Sequence, residues 1–137
     1  MVASDELREM TVRSLEAFTN GNIEYLTGHV SQQDGVLAIG TDPKEWWADY
    51  DTIAQIFKAQ SNAMQGMSIM GIEPQAYCEG SVGWAAAEPK FRLLDGTELP
   101  FRLTLVYRRE DEEWKIVQWH ASLGVANEEA IGEELPT

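Results

Sequence analysis

The last third of the chain constrains its fold most. From Phe101 to Gly124 it reads FRLTLVYRREDEEWKIVQWHASLG, two alternating apolar and polar runs around a charged turn. Alternation with period two is the mark of strands with one buried face. Two such runs this close together predict a long antiparallel hairpin. With Glu110 to Glu112 as the loop, Arg109 faces Glu113, Leu105 faces Val117, Leu103 faces Trp119 and Arg102 faces His120. This register stacks apolar on apolar and polar on polar. It places Phe101, Leu103, Leu105, Val117 and Trp119 on one side. Arg102, Thr104, Gln118, His120 and Ser122 lie on the other, together with Trp114 and Ile116.

Upstream of the hairpin the period is helical. Ser4 can cap a helix running to Phe18, with Asp5 and Glu6 in its first turn, where the helix dipole favours negative charge. Leu7, Met10, Thr11, Ser14, Leu15 and Phe18 share one face. Asn20-Gly21 is a stop, and Asn22 caps a short second helix through Ile23, Tyr25 and Leu26 to Gly28. A short strand, Val36 to Ile39, ends at Gly40-Thr41-Asp42-Pro43, since proline turns the residue before it away from helical angles. Trp46 and Trp47 follow in a loop. Asp51 is the candidate cap of a third helix, with Ile53, Ile56, Phe57, Gln60 and Met64 on its buried face. Strands are predicted over Met67 to Cys78 with a break near Pro74, Ser81 to Phe91, Glu98 to Arg109 and Glu113 to Leu123. Leu94-Asp95-Gly96 is a turn. Helices first and antiparallel strands after imply an α+β fold, the helices on one face of a curved sheet. Residues 1–125 form the domain and 126–137 an acidic, frayed tail.

Composition excludes several functions. The 137 residues carry 10 basic and 23 acidic side chains, a net charge of −13. Such a surface repels nucleic-acid backbones and anionic membranes. No run approaches the ~20 apolar residues of a membrane span. The single cysteine, Cys78, rules out an intrachain disulfide and a thiolate zinc cluster. The charged N-terminal stretch lacks the apolar core of a secretory signal, and the expected location is the cytoplasm. His29 and His120 are the only histidines and have no metal-ligand spacing. His29 reads as a helix-end residue and Cys78 as a buried thiol. Gly66, Gly71, Gly80 and Gly83 precede no helix start, so they do not form a phosphate loop. Neither a metal nor a cofactor is expected.

Several of these features together are similar to the SnoaL-like group of the nuclear-transport-factor-2 superfamily. They are the first helix closed by Asn20-Gly21-Asn22, the Gly40-to-Pro43 break with Glu45-Trp46, and the hairpin from Arg102 and Thr104 through Trp114-Lys115-Ile116 to His120 and Ser122. The resemblance implies a cone-shaped fold, three N-terminal helices packed on a strongly curved, mixed but mostly antiparallel sheet. It implies an apolar cavity between them and an outer sheet face that pairs with a second copy. On that template Phe101, Leu105 and Trp119, with Phe18, Phe57 and Trp46, are core residues or the wall of a cavity for a hydrophobic or aromatic small molecule. Arg102, Thr104, Gln118, His120 and Ser122 are the expected homodimer stripe. The inverse assignment of faces, with Arg102 and His120 inside, stays open on alternation alone.

In related steroid isomerases an aspartate matching Asp42 abstracts a proton. Asp42 is therefore the candidate catalytic base, for proton transfer, hydration or cyclisation; shaping its own turn is the other role open to it. The donor positions of those isomerases fall on Ser14 and on Thr104 or Leu105, which are not an equivalent pair. Asp42 or Glu45 beside the aromatic rings could also hold a cation. A non-catalytic binding or assembly module on the same fold is the alternative.

Overall fold

The computed structural model describes residues 1–137. Ser4 caps α1 (Asp5–Asn20), its hydroxyl accepting from Leu7 N at 3.2 Å. Asn22 caps α2 (Ile23–Gly28). The cap of α3 (Tyr50–Ala63) is Asp49, not Asp51. Both Asp49 oxygens accept from Thr52, at 2.8 Å each, and these bonds hold its carboxyl below the usual range. Asp51 instead sits in the first turn, where its charge meets the helix dipole. The Ser61 hydroxyl donates to Phe18 O at 2.7 Å, fastening α3 to the end of α1.

Ten strands follow the chain: β1 (Val2–Ala3), β2 (Leu37–Ile39), β3 (Trp46–Trp47), β4 (Ser68–Met70), β5 (Gln75–Glu79), β6 (Val82–Ala87), β7 (Lys90–Arg92), β8 (Glu98–Pro100), β9 (Arg102–Glu110) and β10 (Glu113–Ser122). Seven form an open sheet in the order β1-β5-β6-β9-β10-β2-β3, and β4-β7-β8 form a second. Only β10 and β2 run parallel; every other named pair is antiparallel. The architecture is the expected α+β one, with helices against a curved, mostly antiparallel sheet that does not close. Trp46 and Trp47, expected in a loop, pair with β2, and the tail carries a short helix, α4 (Asn127–Ile131).

The two strands expected at Ser81 to Phe91 and Glu98 to Arg109 are one long hairpin bent in the middle. Ala87 lies opposite Leu103, Phe101 N donates to Pro89 O at 3.0 Å, and Lys90 lies opposite Pro100, so the register passes through the bend unchanged. Pro89 supplies no ladder donor, and the ribbon changes sheets there. Its outer half, β7–β8, leaves the main sheet and pairs with β4.

The closing hairpin departs from the expected register. Its turn is two residues long: Glu110 pairs with Glu113, and Asp111 (φ 49°) and Glu112 (φ 67°) both adopt left-handed angles. Ile116 then pairs with Tyr107 but Gln118 with Val106, so Val117 is an extra residue, a β-bulge. The bulge reverses the alternation. Trp114 and Ile116, expected outward, turn inward beside Tyr107, and Trp119 stays inward opposite Leu105. Val117, expected inward, is the half-buried bulge residue itself. The short α2–β2 link explains its position: Ile116 N donates to His29 O and Ser31 N to Ile116 O on one side, and β2 begins pairing at Gln118 on the other.

The inner row across the sheet runs Ala76, Ala85, Leu105, Trp119, Ala38 and Trp47. Its small residues, with Gly83, let α1 approach closely. A Cβ added to Gly83 would lie 2.3 Å from Leu7 Cδ1. Deeper in the core, Thr11 Oγ1 donates to Leu7 O at 2.8 Å, so the 2.7 Å contact with Tyr107 must be donated by the tyrosine. Burial pushes the Tyr107 pKa up, keeping that phenol a donor.

The turn offers a direct check. A left-handed residue other than glycine, asparagine or aspartate costs roughly 1–2 kcal/mol, so the strain sits at Glu112, and two-residue turns of this hand favour Asn-Gly. Asp111→Asn with Glu112→Gly is expected to raise unfolding free energy by about 1 kcal/mol, measured by urea denaturation.

Candidate functional site

A pocket of about 350 Å³ opens between α1, α3, the end of β10 and the folded-over β7–β8 ribbon. Leu15 and Phe18 come from α1, Phe57 from α3 and Met64 from the cap that ends it. Phe91 and Leu99 come from the ribbon, and Trp47, Phe101 and Trp119 complete the aromatic wall. The rings pack on one another. Phe57 and Trp119 centroids lie 5.1 Å apart, Phe18 and Phe57 meet edge to face at 6.0 Å, and Phe91 stacks on Phe101 at 4.1 Å. Such pairs each contribute about 0.5–1.5 kcal/mol beyond area burial. A rigid aromatic wall results.

Four of the six expected wall residues, Phe18, Phe57, Phe101 and Trp119, therefore come together. Leu105 does not reach the pocket surface: it is fully buried in the core. Trp46 faces the opposite way, 64% exposed, because consecutive strand residues alternate and Trp47 takes the inner side. Trp47, not the expected Trp46, is the tryptophan of this loop that stands in the wall. Phe91 was hidden because its place depends on the bend at Pro89.

Asp42 is exposed and does not line the pocket; its carboxylate turns to its own loop, accepting from Lys44 N at 2.8 Å. The carboxylate that lines the pocket is Glu45. Its Oε1 accepts from Asp42 N at 2.8 Å and its Oε2 from Gln60 Nε2 on α3. Gly40 makes this possible: a Cβ there would lie 2.7 Å from Glu45 Cδ and 2.8 Å from its Cβ. Gln60 was legible as a polar residue on the apolar stripe of α3, but its partner was not.

The isomerase donor positions do not converge here. Ser14 is buried with its hydroxyl unpartnered and is not on the pocket wall, Thr104 points outward, and the Tyr107 phenol is committed to Thr11. His29 closes α2, its Nδ1 2.6 Å from Tyr25 O. Cys78 is half-buried in β5. No group of three or more His, Cys, Asp or Glu side chains is placed to hold a metal ion.

The five stripe residues do share the outer face. The bulge changes their partners: Arg102 lies opposite Ser122 and Thr104 opposite His120. Arg102, Thr104 and His120 are exposed, Gln118 and Ser122 half-buried. Beside them Tyr77, Trp84 and Val106 form an outward apolar row, Tyr77 stacked on Trp84 at 5.3 Å.

Comparison with known proteins now decides the family. A model of the SnoaL-like domain matches residues 7–126. The chain belongs to the SnoaL-like family. Its fold is shared by an NTF2-like protein of unknown function from Pseudomonas putida KT2440, 16% identical, with a TM-score of 0.79 over 95% of this chain and 91% of that one. A proposed dehydratase of the NTF2-like family from Streptomyces avermitilis is 14% identical, with a TM-score of 0.78 over 89% and 96%. A proposed calcium/calmodulin dependent protein kinase II association domain from Xanthomonas campestris is 18% identical, with a TM-score of 0.70 over 87% and 86%. At these identities the shared property is the fold. No curated protein has a significantly similar sequence. No helix is long and apolar enough to cross a membrane.

Gly40→Ala tests the loop that carries Glu45. Overpacking against a side chain that cannot retreat at its Cβ is expected to lower stability by about 1–3 kcal/mol. Gly28→Ala, where an added Cβ meets nothing within 4 Å, is the control and should not destabilise. Denaturant midpoints of the two variants check both.

Proposed function

We propose that this SnoaL-like protein binds a flat hydrophobic or aromatic small molecule in the pocket between α1, α3 and the β7–β8 ribbon. The observation that carries this reading is the recess itself. Trp119 and Phe101 stand in its wall rather than filling it, leaving about 350 Å³, within the usual range of ligand sites. Most lining residues are apolar, as such sites require, and few polar groups are available to orient a ligand. A fold neighbour named as a proposed dehydratase is compatible with small-molecule chemistry on this scaffold. Proton transfer, hydration or cyclisation by Asp42 would require it to release Lys44 N and turn into the pocket, which it does not line. Binding is the part of the reading the geometry supports best.

The expected outcome is a rise in melting temperature with neutral fused-ring aromatics or steroids. A ligand at one hundred times its Kd stabilises the native state by about 2.7 kcal/mol. Ala121→Phe, which places a ring in the recess from its lining, should abolish the shift without lowering the melting temperature of the free protein. Absence of any shift across the panel, or a full shift in the variant, would sink the reading.

A second copy of the chain is the partner that fits the outer face, favoured by the Tyr77, Trp84 and Val106 row beside the polar stripe. A two-fold contact repeats one patch on both subunits, and a row of rings with a polar margin suits it. A fold neighbour named as a proposed association domain is compatible with assembly. Sedimentation should give twice the chain mass, and Val106→Glu, which buries like charges against each other across the axis, should give the monomer.

A further inference from the structure

Nineteen residues line the pocket, and Glu45 is the one with a formal charge; none is Lys, Arg or His. The polar groups among them are few. Thr41 and Glu45 come from the loop before β3, and Gln60 comes from α3. Glu45 and Gln60 touch one another. The recess thus has an aromatic wall and one polar spot.

That spot holds the Thr41 hydroxyl and the second Gln60 Nε2–H as donors, but its only charged group is an acceptor, the Glu45 carboxylate. An ionised carboxylate accepts only, so the Gln60 amide must present its Nε2 to Glu45, as it does. This leaves Gln60 Oε1 as a further acceptor. Glu45 spends one lone pair of Oε1 on Asp42 N and one of Oε2 on Gln60, and each oxygen retains another. Glu45 and Trp47 both line the pocket, so the carboxylate shares the recess with an aromatic face, an arrangement that favours a cation.

Resting on the reading of the pocket as a ligand site, we infer that its occupant is an aromatic or polycyclic molecule bearing a hydrogen-bond donor, preferentially a protonated amine, which Glu45 and Gln60 hold. An anionic ligand would bring a second negative charge beside Glu45 with no lining cation to compensate it. The net charge of −13 acts in the same direction at long range. Glu45 is here a specificity-determining residue; its side chain is held in place by the loop amide of Asp42 and by α3, so it meets a ligand already oriented.

Three ligands of one size isolate the charge: naphthylmethylamine, naphthalenemethanol and naphthoate, titrated calorimetrically into the full chain at neutral pH. The amine is expected to bind about ten-fold or more tighter than naphthoate, with the alcohol between, a difference modest for a partly desolvated charge pair. Glu45→Gln keeps the size of the side chain and should bring the three within about three-fold of one another, its cooperative melting transition showing that the variant folds. If the alcohol binds but naphthoate matches the amine, the inference falls and the ligand pocket stands. An amine preference that survives intact in Glu45→Gln overturns the role of Glu45. If none of the three binds wild type while neutral polycyclic ligands also fail to raise its melting temperature, the pocket reading falls and this inference with it.

Discussion

The extra residue at Val117 is the constraint on which the rest of the sheet depends. β10 is paired along both edges: β9 pairs along one, and on the other dock first the residues after α2 and then β2. A regular β10 would place Trp114 and Ile116 on the face opposite Trp119. One of these apolar sets would then lie outside. The bulge lets all three face the helices, and all three are buried. Fully burying a large apolar side chain is worth about 1.5–3 kcal/mol, and the bulge lets Trp114 and Ile116 gain it together with Trp119. A bulge also adds local twist and bends its strand, which suits a sheet wrapped around α1.

Curvature then creates the pocket. The β6–β9 ribbon is too long for the helices to cover, and at Pro89 it bends without losing register. The bent-over half brings Phe91 and Leu99 to the same recess as Phe57 of α3 and its cap residue Met64. The inner sheet row beneath is built of Ala38, Ala76 and Ala85 around Leu105, so the helices sit close where the residues are small. Five large aromatic groups meet ring on ring around the recess, Phe18, Phe57 and Trp119 on one side and Phe91 and Phe101 on the other.

Local signals carried well into the structure wherever they depended on neighbours in sequence. Ser4 and Asn22 cap the helices assigned to them, and Leu7, Thr11, Ser14, Leu15 and Phe18 form the buried face of α1. The Leu94-Asp95-Gly96 turn is present, with Asp95 accepting from Thr97 N. The cap of α3 was misplaced by two residues because Asp49 and Asp51 are chemically equivalent in sequence, and the choice rests on where Trp47 leaves β3. The candidate site was half legible. Aromatic residues at buried positions pointed to Phe18, Phe57, Phe101 and Trp119, yet Asp42 and Glu45, three residues apart in one loop, have the same chemistry. Which of them lines the pocket follows from the absence of a side chain at Gly40 and from Gln60, fifteen residues further on, reaching back to it.

By itself the sequence determined the order of helices and strands, the apolar identity of the core and an acidic surface, because period, capping chemistry and charge are properties of contiguous residues. Tertiary structure alone decided the face presented by Trp114, Ile116 and Trp47, the division of one long ribbon between two sheets, and the carboxylate lining the recess. These outcomes turn on a single inserted residue, one bend and one close approach. Each changes which distant groups meet without changing the local pattern, and so leaves no trace in hydrophobic alternation.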